Sequence, residues 1–188
     1  GYLGKWGAVG FRSGFMLRQL AWLHDLDISY DASTFDTDPF EPQPEGIGSI
    51  FPFFVSNGRS RYVELPYTLP QDSTLFLLLR ETTPDIWTRK LNWIVEKGGL
   101  ALLNLHPDYI QLPGQSPHPY TFPVGHYSQF LLDLKSRFAD QYWGALPRDV
   151  AKMMNEHDIT AGAGGRRNPR TKVMPAKKKI WIDLENTP

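Results

Sequence analysis

The run Gly98-Gly99-Leu100-Ala101-Leu102-Leu103-Asn104-Leu105-His106-Pro107-Asp108-Tyr109 constrains the chain most. A glycine pair suits the left-handed end of a preceding helix. The segment after it is short and almost wholly apolar, the pattern of a strand buried on both faces in a parallel sheet. It stops at His106-Pro107, which sets an imidazole at the strand's C-terminal end. Open α/β sheets and β/α barrels place their chemistry at that end. Taken alone, the same histidine could equally cap the strand and bond a neighbouring backbone group.

The segments before this run alternate in the same way. Trp6 to Phe11 reads as a strand, followed at once by Arg12 and by a helical spacing over Phe15 to Asp25. Arg12 therefore falls at a strand-to-helix junction, where a guanidinium can orient a carboxylate or hold an anion, or simply face solvent. Ile28 to Tyr30 is a further strand. Asp36 to Gly48 is rich in proline, acid and glycine and reads as a solvated loop, because its acids lack the spacing of a calcium loop. Ser49 to Val55 and Tyr62 to Leu65 read as strands joined by the turn signal Asn57-Gly58. Tyr67, in the prolyl segment that follows, either lines a pocket or packs on the core. Pro84 suits the first turn of a helix over Asp85 to Lys97, with Trp87 and Trp93 expected in the core.

Beyond His106, residues 110 to 125 read as a loop carrying His118. A helix over Tyr127 to Ala139, a strand over Tyr142 to Leu146 and a helix from Pro147 to Glu156 follow. This alternation predicts an α/β fold with mainly parallel strands. From Thr160 the chain becomes glycine-rich and then basic, with Arg166, Arg167, Arg170, Lys172, Lys177, Lys178 and Lys179. That stretch predicts a tether rather than a nucleic-acid surface, since it lacks interleaved aromatics. Ile180 to Leu184 reads as a strand. The boundaries expected are a domain over 1–158, a basic linker over 159–178 and the first strand of a following unit over 179–188. Both ends of the sequence run into strand-like segments, so it reads as part of a longer polypeptide.

Composition narrows the classes of function. The 20 basic and 20 acidic residues cancel, which removes a bulk electrostatic case for nucleic acid. There is no cysteine, hence no disulfide or thiolate metal site. No apolar run approaches the length of a membrane span. His24, His106, His118, His126 and His157 show no metal-ligand spacing on a shared element.

Five segments taken in order carry a resemblance: Gly10-Phe11-Arg12-Ser13; Tyr30-Asp31-Ala32-Ser33-Thr34-Phe35-Asp36-Thr37-Asp38-Pro39-Phe40-Glu41-Pro42; Glu64-Leu65-Pro66-Tyr67-Thr68-Leu69-Pro70-Gln71-Asp72; Leu103-Asn104-Leu105-His106-Pro107-Asp108-Tyr109; and Trp143-Gly144-Ala145-Leu146-Pro147-Arg148. Over about residues 1–156 the chain resembles the C-terminal half of the NodB-homology polysaccharide deacetylases, in the branch associated with bacterial surface polysaccharides. The resemblance implies part of an irregular (β/α)7 barrel. It also implies hydrolysis of an N-acetyl group on an amino sugar of a polysaccharide or its precursor, with a catalytically inactive carbohydrate-binding relative as the alternative. His106 matches the family's general acid and Arg12 its motif arginine, although Arg12-Ser13-Gly14 departs from the usual arginine-x-proline. Tyr67 and Asp108 are the candidate substrate contacts.

The family uses a divalent metal, commonly zinc; an aspartate pair supplies a base and a ligand, and an H-x-x-x-H motif supplies two more ligands. Neither motif occurs in this sequence. The resemblance therefore places the metal half of the site upstream, assigns no metal ligand here, and implies that these residues alone are inactive. The family's buried aspartate that holds the acid histidine has no partner assigned from the sequence. Residues 178–188 resemble the opening of a glycosyltransferase-like domain, which would make the parent a fusion acting on a precursor in the cytoplasm.

Overall fold

The computed structural model describes residues 1–41, 43–162 and 180–182, with 159–162 and 180–182 in backbone only. The molecule is mixed α/β with a mostly parallel sheet. A short helix α1 (Tyr2–Trp6) leads into β1 (Gly10–Phe11), then β2 (Tyr30–Asp31), β3 (Phe53–Ser56) and β4 (Arg61–Glu64). Strands β1, β2 and β4 lie side by side and parallel, and β3 closes one edge antiparallel to β4. Only glycine fits at position 10, since a Cβ there would sit 2.1 Å from the Tyr30 ring. Beyond β4 the backbone stays extended. Phe35 bridges Tyr67 and Leu69 bridges Leu103, both in the parallel sense, and this carries the sheet across to β5 (Leu100–Ala101).

The remaining elements keep the expected alternation except over residues 110 to 125, where the expected loop holds a short parallel strand pair and the start of a helix. They are α2 (Asp85–Lys97), the short pair β6 (Ile110–Gln111) and β7 (Phe122–Pro123), α3 (Val124–Arg137), β8 (Tyr142–Gly144), α4 (Pro147–Gly162) and β9 (Ile180–Ile182). Helix α2 ends on Gly98 at φ 69°, as the glycine pair predicts, and buries Trp87, Leu91 and Ile94. Helix α3 buries Tyr127, Phe130 and Leu134. Two apolar clusters result. One lies under α2 and α3 around Trp87 and Phe76, and the other lies between the parallel strands and α4 around Phe35, Val63 and Val150.

Several expectations are corrected. The helix expected over Phe15 to Asp25 is two 3₁₀ turns, Gly14–Met16 and Leu20–Asp25, with Phe15 and Met16 at φ 53° and 52°. Of its apolar residues, Met16 is buried in the cluster between the parallel strands and α4, whereas Phe15, Leu17 and Trp22 are exposed. A short amphipathic helix gains most of its stability from such packing. Trp93 is exposed beneath the Lys90 ammonium instead of lying in the core. The loop over Asp36 to Gly48 is irregular as expected, but it is not simply solvated, because Asp36, Asp38 and Glu41 are buried.

The described strands do not close into a barrel. Helix α4 continues to Gly162, past the expected start of the linker. The tail strand β9 pairs in parallel between β5 and β8. The basic residues from Arg166 to Lys179 and the residues after Ile182 lie outside the described part. Among the described residues no helix is long and apolar enough to cross a membrane.

Candidate functional site

His106 stands at the end of the extended segment that follows β5, just before a 3₁₀ turn over Pro107–Tyr109. Its Nδ1 lies 2.6 Å from Asp72 Oδ1. Asp72 is fully buried, and it also accepts the backbone N–H of His106 at 2.8 Å and that of Ser73 at 2.8 Å. Ser73 begins a π-helical turn over Ser73–Leu78, so Asp72 caps that turn and grips the histidine at once. Asp72 already accepts two backbone N–H groups, and a carboxylate only accepts, so Nδ1 carries a hydrogen and Nε2 is the atom that titrates. The ring is partly open to solvent, with 37% of the side chain exposed.

The Asp72 hydrogen bond raises the His106 pKa above its ordinary value. Burial opposes the rise, the Asp72 and Glu41 charges add to it, and Arg12 subtracts from it. The imidazolium therefore persists to higher pH than in a free histidine. The stability it contributes is complete below the unfolded pKa of about 6.5 and is lost as pH rises through the folded value. Asp72→Asn is expected to lower the His106 pKa. An NMR titration of the ring would read this, and an unchanged midpoint would show that Asp72 does not set it.

A second set of groups adjoins the pair. Arg12 follows β1 and donates from Nε to Ala32 O at 3.2 Å and from an Nη to Asn104 Oδ1 at 3.2 Å. Asn104, two residues before His106, donates to Gln71 Oε1 at 2.7 Å. Gln71 Nε2 donates to Glu41 and, at 3.3 Å, to the Tyr67 hydroxyl. Tyr67 Oη lies 2.9 Å from Asp38 Oδ2 and 2.8 Å from Glu41 Oε1. A phenol has one proton for these two carboxyl groups, and burial together with both of them pushes its pKa up. Burial likewise raises the Glu41 pKa.

Four of the five resembling segments thus converge on one polar cluster, through Arg12, Asp38 with Glu41, Gln71 with Asp72, and His106. The fifth contributes β8 and the start of α4.

The expected site residues fall unevenly in this arrangement. His106 and Arg12 are brought together through Asn104. Tyr67 does not line a pocket: it is buried, and its hydroxyl is engaged by the two carboxyl groups. Asp108 is exposed, two residues past His106. Sequence reasoning missed Asp72, Gln71, Asn104, Asp38 and Glu41. The available signal was that all five lie inside the resembling segments. Arg12 bonds only neutral acceptors and forms no ion pair among the described residues, so its charge is available to an anionic group.

Three other histidines are engaged elsewhere. His24 meets Ser60 Oγ at 3.0 Å, His118 accepts Tyr120 N–H at 3.3 Å, and His126 stacks on Phe76. Among the described residues no group of three His, Asp or Glu could hold a metal ion. Asp38 and Glu41 are committed to Tyr67 and Gln71, so these residues do not fit the divalent metal that the resemblance implies. Comparison with known proteins finds no matching family model, no matching curated protein and no matching solved structure.

Proposed function

We propose that this domain supplies the acid half of a carbohydrate N-deacetylase, which removes an acetyl group from an amino sugar of a surface polysaccharide or its precursor. The observation that carries this reading is the 2.6 Å contact between His106 Nδ1 and the buried Asp72 at the C-terminal end of a parallel strand. Amide hydrolysis breaks the carbonyl carbon–nitrogen bond, and the departing amine needs a proton. His106 has Nε2–H on its open side, is held charged by Asp72, and can give that proton. Arg12, with no carboxylate partner, orients an anionic group of the reacting assembly. Asn104 and Gln71 tie Arg12 to the carboxyl pair, and Asn104 precedes His106 by two residues, so the elements keep one geometry.

The parallel strands and flanking helices are compatible with part of an irregular (β/α)7 barrel. In this reading the water-activating groups and any divalent metal belong to residues outside those described. A fused glycosyltransferase-like unit and a cytoplasmic setting belong to the same proposal.

The test is acetate release from N-acetylated amino-sugar oligosaccharides by the native protein, with His106→Ala as control. Release that depends on His106 supports the reading. Binding of the oligosaccharide without release, undiminished in His106→Ala, would replace it with the carbohydrate-binding alternative.

A further inference from the structure

Below the polar cluster lies a second pair of carboxyl groups that the reading above does not use. Asp31 and Glu64 stand opposite each other in the parallel pairing of β2 with β4, and both are fully buried. Asp31 accepts Ser33 N–H at 3.0 Å and the Ser33 hydroxyl at 2.8 Å. Glu64 Oε1 accepts Thr34 N–H at 3.0 Å and the Thr34 hydroxyl at 2.6 Å. Glu64 Oε2 is buried and has no donor in reach. The carboxyl set opposite it across β2 and β4 is that of Asp31, whose charge and hydrogen bonding act on Glu64. Two ionised carboxylates cannot hydrogen-bond each other, and a charged oxygen left unpaired in this apolar setting is strongly disfavoured. One shared proton satisfies both groups.

We propose that Glu64 holds a proton on Oε2 and donates it to Asp31, and that this one-proton clasp positions the Arg12–Ser13 segment. The connection to that segment is direct. Ser33 Oγ, which donates to Asp31, accepts Ser13 N–H at 2.8 Å. Arg12 Nε donates to Ala32 O, and Ala32 N–H donates to Phe11 O at 3.0 Å. The turn shaped by the two carboxyl groups therefore sets where Arg12 leaves β1. The clasp rests on no assignment of the reaction.

Among the described residues the surroundings supply no cation to replace the proton. On β4, Tyr62 is the titratable neighbour that feels the pair; its phenol is pushed up by burial and by both acids, and it donates to Leu20 O at 3.0 Å. From β1, the Arg12 guanidinium is turned to Ala32 O and Asn104. From α4, Val150, Ala151, Met153 and Met154 pack against the cluster, and β3 adds Phe54. Neither carboxyl has a Lys, Arg or His ion-pair partner among the described residues.

The pH dependence follows from geometry and burial. Burial, then the Asp31 charge, pushes Glu64 up to about 9, and Asp31 is raised as well. Unfolded carboxyl groups lose their protons near their ordinary values of about 4. Across the neutral range the folded pair therefore holds one proton more than the same two groups in the unfolded chain. The pair's contribution to stability is complete at acid pH, falls as pH rises, and levels off once the folded pair ionises.

Glu64→Gln tests this, because its amide keeps an acceptor for Thr34 and supplies a donor to Asp31 that cannot be lost. The unfolding constant of the wild type should rise relative to Glu64→Gln by about tenfold per pH unit between the ordinary carboxylate range and the folded value. The infrared band of a protonated carboxyl should be present in the wild type at neutral pH and missing in Glu64→Gln. The ¹⁵Nε resonance of Arg12 should agree between the two at neutral pH and diverge only above the folded pKa of about 9.

Glu64→Leu removes the donor and should displace the Arg12 resonance at neutral pH; if this variant fails to fold, the Glu64→Gln comparisons still decide. Parallel stability curves, an absent band in the wild type or a band that persists in Glu64→Gln would overturn the shared proton. An Arg12 resonance that does not follow the pair would overturn the positioning role.

Discussion

Under the proposed deacetylation, replacing His106 by alanine in the native protein is expected to lower kcat for acetate release by about 10²–10⁴-fold, with KM little changed. In the proposed reaction the imidazole would give its proton as the C–N bond breaks, so its removal would be felt in the transition state and not in ground-state binding. Circular dichroism should be unaltered, because the ring is partly exposed and its packing is confined to Asp72 at Nδ1 and the neighbouring Tyr109 ring. His106→Gln, which can still donate to Asp72 but cannot act as an acid near neutrality, should be nearly as slow. A variant of either kind that retained wild-type kcat would remove His106 from the chemistry and leave it as a strand-end residue.

The second large effect is on stability and starts at Trp87. Its side chain is fully buried, edge-on to Phe76 at 5.0 Å and against Phe130 at 5.3 Å. Its indole N–H donates to Pro70 O at 2.6 Å, just before Gln71 and Asp72. Trp87→Ala should cost about 3–5 kcal/mol through the cavity and lost contacts. For a domain of this size that is a fall in Tm of roughly 6–20 °C. Trp87→Phe keeps most of the ring but orphans the Pro70 carbonyl, at a cost of about 1–3 kcal/mol. Because that carbonyl anchors the segment carrying Asp72, the phenylalanine variant should also move the His106 NMR titration. Thermal melts beside that titration separate the two effects. A Trp87→Ala protein that melts within about 2 °C of wild type would show that α2 is not anchored through this residue.

Local pattern was informative where one segment carried both the signal and the consequence. The apolar run after Gly98-Gly99 becomes β5 and its extended continuation, with His106 at its end. Asn57-Gly58 makes the hairpin turn between β3 and β4, with Gly58 at φ 84°. The helix expected over Asp85 to Lys97 forms and buries Trp87 as expected. Trp93, also expected in the core, is exposed, because its burial depends on what α2 meets. The Phe15 to Asp25 pattern failed for the same reason: an amphipathic face forms a stable helix only when another surface covers it.

The amino-acid sequence by itself determined the α/β alternation, the hairpin, the C-terminal glycine of α2 and the placement of an imidazole at a parallel strand end. Each follows from neighbouring residues through backbone preference and hydrophobic period. Only the tertiary structure decided which groups meet that imidazole. Asp72 reaches His106 across 34 positions, and Arg12 reaches Asn104 across 92. Asp38 and Glu41, in a loop whose composition suggests solvent, are buried instead by Tyr67 and Gln71. Glu64, an ordinary surface-type residue by composition, becomes a buried acid because β2 sets Asp31 opposite it. Charge state and hydrogen-bond partnership depend on burial and on what lies across the sheet, and neither quantity is written in the spacing of residues along a chain.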